Sequence, residues 1–520
     1  MRIGFSILAS MAMALPATSS ADTLPRNAWV EHGVATRVTN DGWNFITAEL
    51  EEYVYESLAE QFVGPADIKL YDEGCFWEYT AYITNIRSVD YAFPTLELTA
   101  KDGYLDAYVR LDDLRMNFIM EGDGLFCADH YECSSKVKIS SLEGGARLAF
   151  DVVNGRVKTS VSHAWAQVNN YEYDTEFWCF IIELVAEILE STIEESFEST
   201  LVDMMNTPLP GQLDELLVSS RMCGDIDFFD THHFYDSRPE ETINDALGTT
   251  IGMRTRFSER YGRCTPRENE FRYTDDRELE FPATIPGTSD SYEAAISISD
   301  DALNALLYGT YDSGALCIVL DENAKKTYGF PWRFTTADLR AVMPDLYQAY
   351  PNAPIRLDAT PQTAPWAEIG EKFGILEGQL LAHLESVFFD LYVWDETAST
   401  WLRATRIDVL YEADILVRVN PKNKVRVLIA GFPNVTIEIL EEDLVDLNDA
   451  AVERLLPRAL QILTPLLVAS LGEFPLPVIA GYGFDVSAII PDGPNDNYLS
   501  IYGNLYEGEG FTLPLEPCDP

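Results

Sequence analysis

The sequence predicts an α+β protein of two tandem halves, each an antiparallel sheet curved along a long helix. Three observations predict this fold class. The order of elements repeats once along the chain, and the predicted strands are rich in β-branched and aromatic residues with Gly, Asp and Asn turns between them. Each half also ends in a long helix followed by Pro-Leu-Pro. Each half therefore has its own apolar core, and a short sheet between them predicts an elongated molecule.

The first half begins with a short helix. Trp43 to Phe62 carries apolar residues at helical spacing, and Asp41 is expected to cap it. A long helix is expected over Glu176 to Met205, ending at the stretch Pro208-Leu209-Pro210-Gly211. The strands expected between them are Tyr79–Val89, Thr95–Leu98, Tyr104–Met120, Lys136–Phe150 and Val157–Tyr171, with hairpin turns at Asp102-Gly103 and Asn154-Gly155.

The second half repeats this order. Its expected elements are helices over Ser299–Thr310 and Thr335–Tyr350 (capped by Thr336), strands from Trp366 through Ile439, and a long helix over Asp443–Leu471 that ends at Phe474-Pro475-Leu476-Pro477. Between the halves, strands are expected over Asp225–Phe234 and Gly248–Arg260, joined by the polar stretch Asp236–Asp245. We therefore expect a signal peptide at 1–21, an N-terminal unit at 22–222, a central sheet and linker at 223–290, and a C-terminal unit at 291–520.

The first 21 residues predict export. Arg2, the apolar run Ile3–Leu15 and the small residues Ser19-Ser20-Ala21 form the pattern of a signal peptide, so a secreted or periplasmic protein is expected. Eight cysteines in such a chain favour disulfides. The expected bridges are Cys127–Cys133 and Cys223–Cys264, whereas the pairing of Cys75, Cys179, Cys317 and Cys518 is left open.

The acidic charge limits the expected partners. The formal net charge is −49, which argues against nucleic-acid binding and against electrostatic capture by anionic membranes. Six of the 36 basic residues nevertheless fall between Arg254 and Arg272: Arg254, Arg256, Arg260, Arg263, Arg267 and Arg272. They either pair with carboxylates in the central sheet or contact an anionic headgroup, for which the guanidinium fork is suited.

No motif of an enzyme is present. The sequence contains no G-x-S-x-G, H-E-x-x-H or Walker loop, so no catalytic residue and no cofactor is expected. His232 and His233 are adjacent on a predicted strand and would point to opposite faces, so no metal site is expected there.

A groove between each long helix and its sheet is the candidate binding site. It is either filled by side chains or left open as an apolar slot for acyl chains or sterols. The helix residues whose apolar faces would line it are Ile46, Leu50, Leu58, Ile181, Val185, Ile188, Leu189, Leu456, Leu460, Leu463 and Leu467.

Four short motifs in order resemble the family of the bactericidal permeability-increasing, lipopolysaccharide-binding, cholesteryl ester transfer and phospholipid transfer proteins. Residues 32–42 resemble the opening PG-x-x-x-R-x-x-x-x-G, with His32 where that family usually has Pro. Residues 296–304 resemble the "LGLSD" helix entry, and Thr335-Thr336 with Tyr350-Pro351-Asn352 resembles "LTT…FPN". Gly472 to Pro477 is similar to the "GFPLP" exit.

The resemblance implies two tandem elongated antiparallel barrels, each wrapped around a long helix and joined by a central sheet in a boomerang shape. It implies a lipid pocket in each barrel, and hence an exported, non-enzymatic protein that binds or transfers phospholipid-like or sterol-like ligands. Such a protein would be a monomer that contacts membranes transiently. The acidic charge departs from the antibacterial member, so endotoxin neutralisation is not implied. The alternative is a structural or adhesive surface protein with filled barrels and no bound lipid.

Overall fold

The structure is a computed structural model that describes residues 22–62, 64–72, 80–123, 130–175, 186–218, 222–228, 231–259, 262, 264–268, 270–274, 279–323, 333–341, 343–373, 378–419, 424–444, 473–475, 482–493 and 495–506. The helices in these residues are α1 Asn40–Phe62, α2 Ala186–Asn206, α3 Pro208–Val218, α4 Asp300–Asp312 and α5 Pro344–Ala349. None of the helices in these ranges is long and apolar enough to cross a membrane.

A central sheet of seven strands draws on four separate stretches of the chain. Its order is β21-β22-β13-β2-β11-β10-β9. The strands are β2 Val30–Thr39, β9 Met222–Phe228, β10 Thr231–Asp245, β11 Gly248–Glu259, β13 Ala294–Ser299, β21 Gly483–Asp492 and β22 Tyr498–Tyr506. A separate two-stranded sheet pairs β1 Asp22–Pro25 with β12 Glu270–Tyr273.

The N-terminal sheet has the order β3-β4-β6-β7-β8, and β5 pairs with β6. Its strands are β3 Gly64–Asp72, β4 Thr80–Asp90, β5 Thr95–Lys101, β6 Tyr104–Asp123, β7 His130–Val153 and β8 Arg156–Thr175. Helix α2 contacts β7 and β8 at one edge of this sheet and β3 at the other edge. Because one helix reaches both edges, the sheet is curled around it as a half-barrel.

The C-terminal sheet has the order β14-β15-β17-β18-β19-β20, and β16 pairs with β17. Its strands are β14 Ile318–Leu320, β15 Ile355–Pro361, β16 Trp366–Phe373, β17 Gly378–Asp395, β18 Thr400–Val419, β19 Lys424–Glu442 and β20 Glu473–Pro475. The predicted helix over Asp443–Leu471 lies, beyond Leu444, outside the described residues.

Several local predictions are confirmed. The five strands predicted in the first half correspond to β4 through β8. Asn154 and Gly155 both have positive φ, 54° and 68°, as a two-residue type I′ hairpin turn requires. In the second half α4 begins directly after Ser299, whose Oγ accepts a hydrogen bond of 3.1 Å from the backbone N–H of Ala302. Ser299 is therefore the helix cap.

The first long helix ends at Asn206, next to its predicted end, and the Pro-Leu-Pro-Gly stretch that follows opens α3, because a proline in the first turn of a helix forfeits no intrahelical hydrogen bond. Asp41 does not cap α1, which begins at Asn40, because the Oγ1 of Thr39 accepts from the backbone N–H of Gly42 at 3.2 Å. The helix predicted over Thr335–Tyr350 is reduced to α5, preceded by turns. Thr336 does not cap it, since its Oγ1 donates to the carbonyl oxygen of Tyr350 at 2.6 Å.

The polar stretch Asp236–Asp245 is not a connection but part of strand β10. The predicted strand over Asp225–Phe234 is in fact split between β9 and β10. Strand β10 pairs with β9 only as far as Ser237, and its register against β11 shifts between Pro239 and Glu241. A proline is tolerated at such a bulge, where no ladder hydrogen bond needs its missing N–H.

The predicted bridge Cys223–Cys264 is wrong, because Cys264 pairs with Cys317. Cys223 lies opposite Asp236, and Asp236 lies opposite Arg256. Cys223 on β9 therefore lies two strand spacings, each about 4.8 Å, from β11, and this distance alone is beyond the reach of a disulfide. Cys264 follows the end of β11 in the chain. Cys133 and Cys223 are also disulfide-bonded. Cys127 lies outside the described residues, so the bridge Cys127–Cys133 stays a prediction.

Candidate functional site

The interior of the N-terminal half-barrel is lined by one apolar stripe from each of three helices. Residues four apart lie on one face of a helix, so each stripe repeats at that spacing. The stripes are Ile46, Leu50 and Val54 of α1, Ile193, Phe197 and Leu201 of α2, and Leu209, Leu213 and Leu217 of α3. None of these side chains is more than 5% exposed. The three helices thus present one continuous apolar lining.

The sheet supplies the facing wall. Side chains alternate between the two faces of a strand, and along β6 the inward-facing residues Leu114, Met116, Phe118 and Met120 are buried. They belong to the same hydrophobic cluster as the helix stripes. The buried side chains of these strands and helices therefore form one continuous apolar cluster in the interior of this half.

The chemistry of this cluster is apolar and adaptable. The cluster contains five methionines, of which the half-barrel sheet and its helices contribute Met116, Met120, Met204 and Met205 and the central sheet contributes Met253. Methionine is unbranched and polarizable, so it fits irregular shapes and rearranges readily. A polar pair also faces this interior: the Oγ of Ser135 lies 3.0 Å from the Oη of Tyr173, which lies 3.9 Å from the Sδ of Met120. A mostly apolar wall with a few polar groups is typical of sites for small apolar ligands.

The structure describes the side chains of only some of the predicted lining residues. Ile46 and Leu50 are buried in the N-terminal interior, as their helical spacing predicted. Leu58 lies on α1, and Ile188 and Leu189 lie on α2, but their side chains are outside the description. The predicted residues that lie wholly outside the described ranges are Ile181, Val185, Leu456, Leu460, Leu463 and Leu467. Whether any of these residues contacts a ligand stays a prediction.

Sequence reasoning missed the stripes of α2 and α3. Ile193, Phe197 and Leu201 have the same four-residue spacing as the residues chosen on α1, so the signal was present. The stripe of α3 is not predicted, because Pro208 and Pro210 favour the end of a helix and not the start of another. The methionines of β6 carry no such signal, because alternation along a strand does not show which buried residues face a groove.

The C-terminal sheet divides its described apolar residues among separate clusters. One contains Leu346 and Val393, another contains Val409, and a third contains Val417. A continuous lining like that of the N-terminal half is therefore not described there. A pocket in the C-terminal half stays a prediction.

Metal chemistry is not indicated in the part of the chain that the structure describes. There, no group of three or more His, Cys, Asp or Glu side chains is placed to hold a metal ion.

Comparison with known proteins gives two kinds of likeness. Residues 270–485 match the model of the LBP / BPI / CETP family, C-terminal domain. Among solved structures, the crystal structure of lipopolysaccharide binding protein aligns with a TM-score of 0.54 at 16% identity, covering 92% of this chain and 100% of that chain. The structure of P47 of Clostridium botulinum E1 aligns with a TM-score of 0.30 at 11% identity, with coverage of 92% and 100%. No curated protein matches by sequence.

The likeness to lipopolysaccharide binding protein concerns the fold alone. It agrees with a chain that is mostly sheet, with long curled strands and few helices in the described residues. The fold class α+β follows from the same observation.

Proposed function

This chain belongs to the LBP/BPI/CETP family, and from that premise we propose that it is an exported, non-enzymatic protein that binds phospholipid-like or sterol-like ligands in apolar pockets. The observation that carries the proposal is the N-terminal interior. Three helix stripes and the inner face of a curled sheet form one continuous apolar lining there. An acyl chain or a sterol is a ligand of matching shape and polarity.

The proposed architecture is that of two tandem elongated barrels joined by the central sheet in a boomerang shape. The long strands β6 to β8 and β17 to β19 support a barrel in each half. The seven-stranded sheet draws strands from before, between and after these two sheets along the chain, which supports a shared central sheet. We place the units at 22–222, 223–290 and 291–520, after a signal peptide at 1–21. Each barrel would hold its own ligand, and a monomer would exchange it during transient membrane contact.

One observation favours a second candidate function, that of a structural or adhesive surface protein with filled barrels. Ile46, Val54 and Leu201 have no exposed surface. A side chain has no exposed surface whether it packs against other side chains or lines a closed pocket. The two functions therefore differ in what the interior contains and not in how its walls are built.

Native mass spectrometry of protein purified gently from its source separates the two. We expect adducts of one or two lipids per chain, identified by extraction and quantification of acyl chains and sterols. A well-folded protein that yields no acyl or sterol ligand would establish the filled-barrel function. A single ligand would show that only one half has an open pocket.

Met204→Trp tests whether the N-terminal interior is the site. If lipid occupies this interior, the larger side chain displaces it, and the variant keeps its fold but carries less lipid. If side chains fill the interior, the same change overpacks it and lowers the free energy of unfolding by about 1–3 kcal/mol. Leu247→Trp is the matched control, because Leu247 is 45% exposed in the turn after β10 and should change neither lipid content nor stability.

A further inference from the structure

Three arginines and one aspartate share one face of the central sheet. Strands β10 and β11 pair so that Arg238 lies directly opposite Arg254, and Asp236 lies directly opposite Arg256. Residues two apart along a strand point to the same side. All four side chains therefore project from the same face, in a square of two neighbouring pairs.

Trp29, just before β2, lies over this square. The Cζ atoms of the three arginines lie close to the centroid of its ring: 5.2 Å for Arg238, 4.7 Å for Arg254 and 4.5 Å for Arg256. Guanidinium groups within about 6 Å of an aromatic centroid are attracted to the ring face. The ring thus gathers three like charges at one place, and we call this set the Trp29 cluster.

The charges of the Trp29 cluster do not balance. The buried carboxylate of Asp236 accepts from Nη2 of Arg238 at 2.7 Å and lies 3.3 Å from Nη2 of Arg256. Arg254 forms no ion pair with any carboxylate in the described residues. Glu241 follows on the same face beyond the bulge, but its Oε1 lies 3.0 Å from Nδ1 of His32. Three positive charges therefore face one negative charge inside the cluster.

Two donors of the cluster are buried without a hydrogen-bond acceptor, the Nε atoms of Arg254 and Arg256. A buried donor without a partner costs free energy, and like charges directly opposite on neighbouring strands destabilise a sheet. The pairing of Arg238 with Arg254 is therefore unfavourable, because the two charges repel each other and the Nε of Arg254 has no acceptor. A negatively charged acceptor would reduce the repulsion and accept a hydrogen bond.

Elsewhere the chain surrounds paired arginines with carboxylates. In the C-terminal sheet Arg403 and Arg406 share Asp390 and Glu441, and Arg403 also contacts Asp443. With a net charge of −49, the protein has many more carboxylates than basic side chains. The missing partner at the Trp29 cluster is therefore a local property of the site and not a consequence of composition.

We propose that the Trp29 cluster is a binding site for a phosphate-type oxyanion, which would contact Arg254 and Arg256 and complete the charge balance. Stacking on the indole uses the faces of the guanidinium groups and leaves their N–H edges to donate in the plane, where phosphate oxygens accept in bidentate fashion. The side chain of Arg256 is 35% exposed and Arg254 is half-buried, so an anion can reach both from solvent. The oxyanion is either free phosphate or the phosphate of a lipid headgroup.

Calorimetric titration of the whole protein with inorganic phosphate, in a buffer without other oxyanions, tests the site. We expect one phosphate per chain in the wild type and an affinity at least about tenfold weaker in Arg254→Gln, since a charge-assisted hydrogen bond is lost. Thermal unfolding adds a readout that a merely structural arginine would not give. Without phosphate, Arg254→Gln should unfold at the same or a higher temperature than the wild type, because the repulsion from Arg238 is relieved. With phosphate, only the wild type should be stabilised.

Arg356→Gln is the matched control. Arg356 lies over Tyr392 and Trp401 at 4.7 and 5.3 Å, but unlike Arg254 it has a carboxylate partner, since its Nη2 donates to Oδ2 of Asp358 at 2.9 Å. This variant should bind phosphate as the wild type does. If the wild type binds neither phosphate nor dioctanoyl phosphatidic acid, the proposal is overturned, and equal binding by Arg254→Gln and the wild type would also overturn it.

Dioctanoyl phosphatidic acid, compared with dioctanoylglycerol, distinguishes the two sources of phosphate. A lipid headgroup site predicts that phosphatidic acid binds more tightly than phosphate and depends on Arg254, whereas dioctanoylglycerol does not depend on it. A site for free phosphate predicts that phosphatidic acid binds no more tightly than phosphate. The phosphate titration uses no lipid, so its result stands whether or not the barrels hold lipid.

Discussion

Gly144 of β7 lies directly beneath Leu201 of α2. A Cβ atom added to Gly144 would lie 2.6 Å from Cδ2 of Leu201 and 3.0 Å from the carbonyl oxygen of Trp165. Leu201 is fully buried, so it has little room to withdraw. The absence of a side chain at Gly144 therefore sets how closely α2 approaches the sheet and how wide the interior is on this side.

Gly144→Ala should push α2 away from the sheet. We expect the free energy of unfolding to fall by about 1–3 kcal/mol, the usual cost of overpacking, as measured by urea denaturation. Gly211→Ala is the control, because a Cβ at Gly211 meets no atom within 4 Å and alanine is the better helix former. That variant should gain about 0.5–1 kcal/mol. Unchanged stability in Gly144→Ala would mean that α2 does not rest on β7.

The disulfide Cys264–Cys317 should contribute to stability, because it closes a loop with a sequence separation of 53 residues. The chain-entropy model gives about 4 kcal/mol for a loop of this length. Replacing both cysteines by serine should therefore lower the unfolding free energy by up to about that amount. Peptide mapping without reduction should recover the two cysteines in one linked peptide. A linked peptide containing Cys264 and Cys223 instead would contradict the structure.

Local patterns predicted the local parts of the fold. Alternation and turn residues were sufficient for β4 to β8, because a hairpin is determined by neighbouring residues. The central sheet was mostly missed, since β2 pairs with β13 and β13 pairs with β22 across more than 200 residues. No periodicity in one segment encodes such a partner. The same limit explains the wrong bridge to Cys223.

The candidate sites show the same contrast between features that local patterns predict and features that depend on long-range pairing. Ile46 and Leu50 were predicted because their spacing along one helix suffices to place them on one face. The enrichment of arginine after residue 253 was visible, but the Trp29 cluster also needs Arg238 and the ring of Trp29. The register of β10 against β11 brings Arg238 opposite Arg254, and that register includes a bulge at Pro239 that composition does not predict.

His32→Pro should strongly destabilise the protein, although proline is the usual residue of the resembled motif. His32 has a φ of 52°, which the proline ring cannot adopt. Its backbone N–H also donates to Oε1 of Glu240 at 2.8 Å, and proline has no N–H. We expect a loss of about 3 kcal/mol or more in chemical denaturation. His32→Asn should cost much less than His32→Pro, because asparagine tolerates positive φ and keeps the backbone N–H, although it loses the 3.0 Å contact between Nδ1 of His32 and Oε1 of Glu241. A neutral proline variant would contradict this backbone conformation.

The arginine of the same motif forms an ion pair that should make stability depend on pH. The side chain of Arg37 is 1% exposed, and its Nη1 and Nη2 donate to the carboxylate of Asp245 at 2.9 and 2.7 Å. Burial raises the pKa of Asp245, but the hydrogen bonds from Arg37 and from the backbone N–H groups of Leu247 and Gly248 outweigh it, so the pKa lies below its usual value of 3.8. The folded state therefore binds this proton more weakly than the unfolded chain.

Asp245→Asn should accordingly cost stability at neutral pH and cost little in acid. A depressed folded pKa contributes stability that is fully present above the unfolded value of 3.8 and is lost as the pH falls through the folded pKa. At pH 7 the variant leaves the charge of Arg37 buried without its counter-ion, and we expect a loss of about 2 kcal/mol, moderated by the exposure of the carboxylate. Urea denaturation from pH 7 downward should show the two proteins converging below pH 3.8. Asp112→Asn, which breaks the exposed pair with Arg110, should leave stability at pH 7 close to that of the wild type, because solvent screens such a pair. If the free energies of unfolding of the wild type and Asp245→Asn differed by the same amount at every pH, the loss of stability would come from the shape of the asparagine side chain and not from the lost charge.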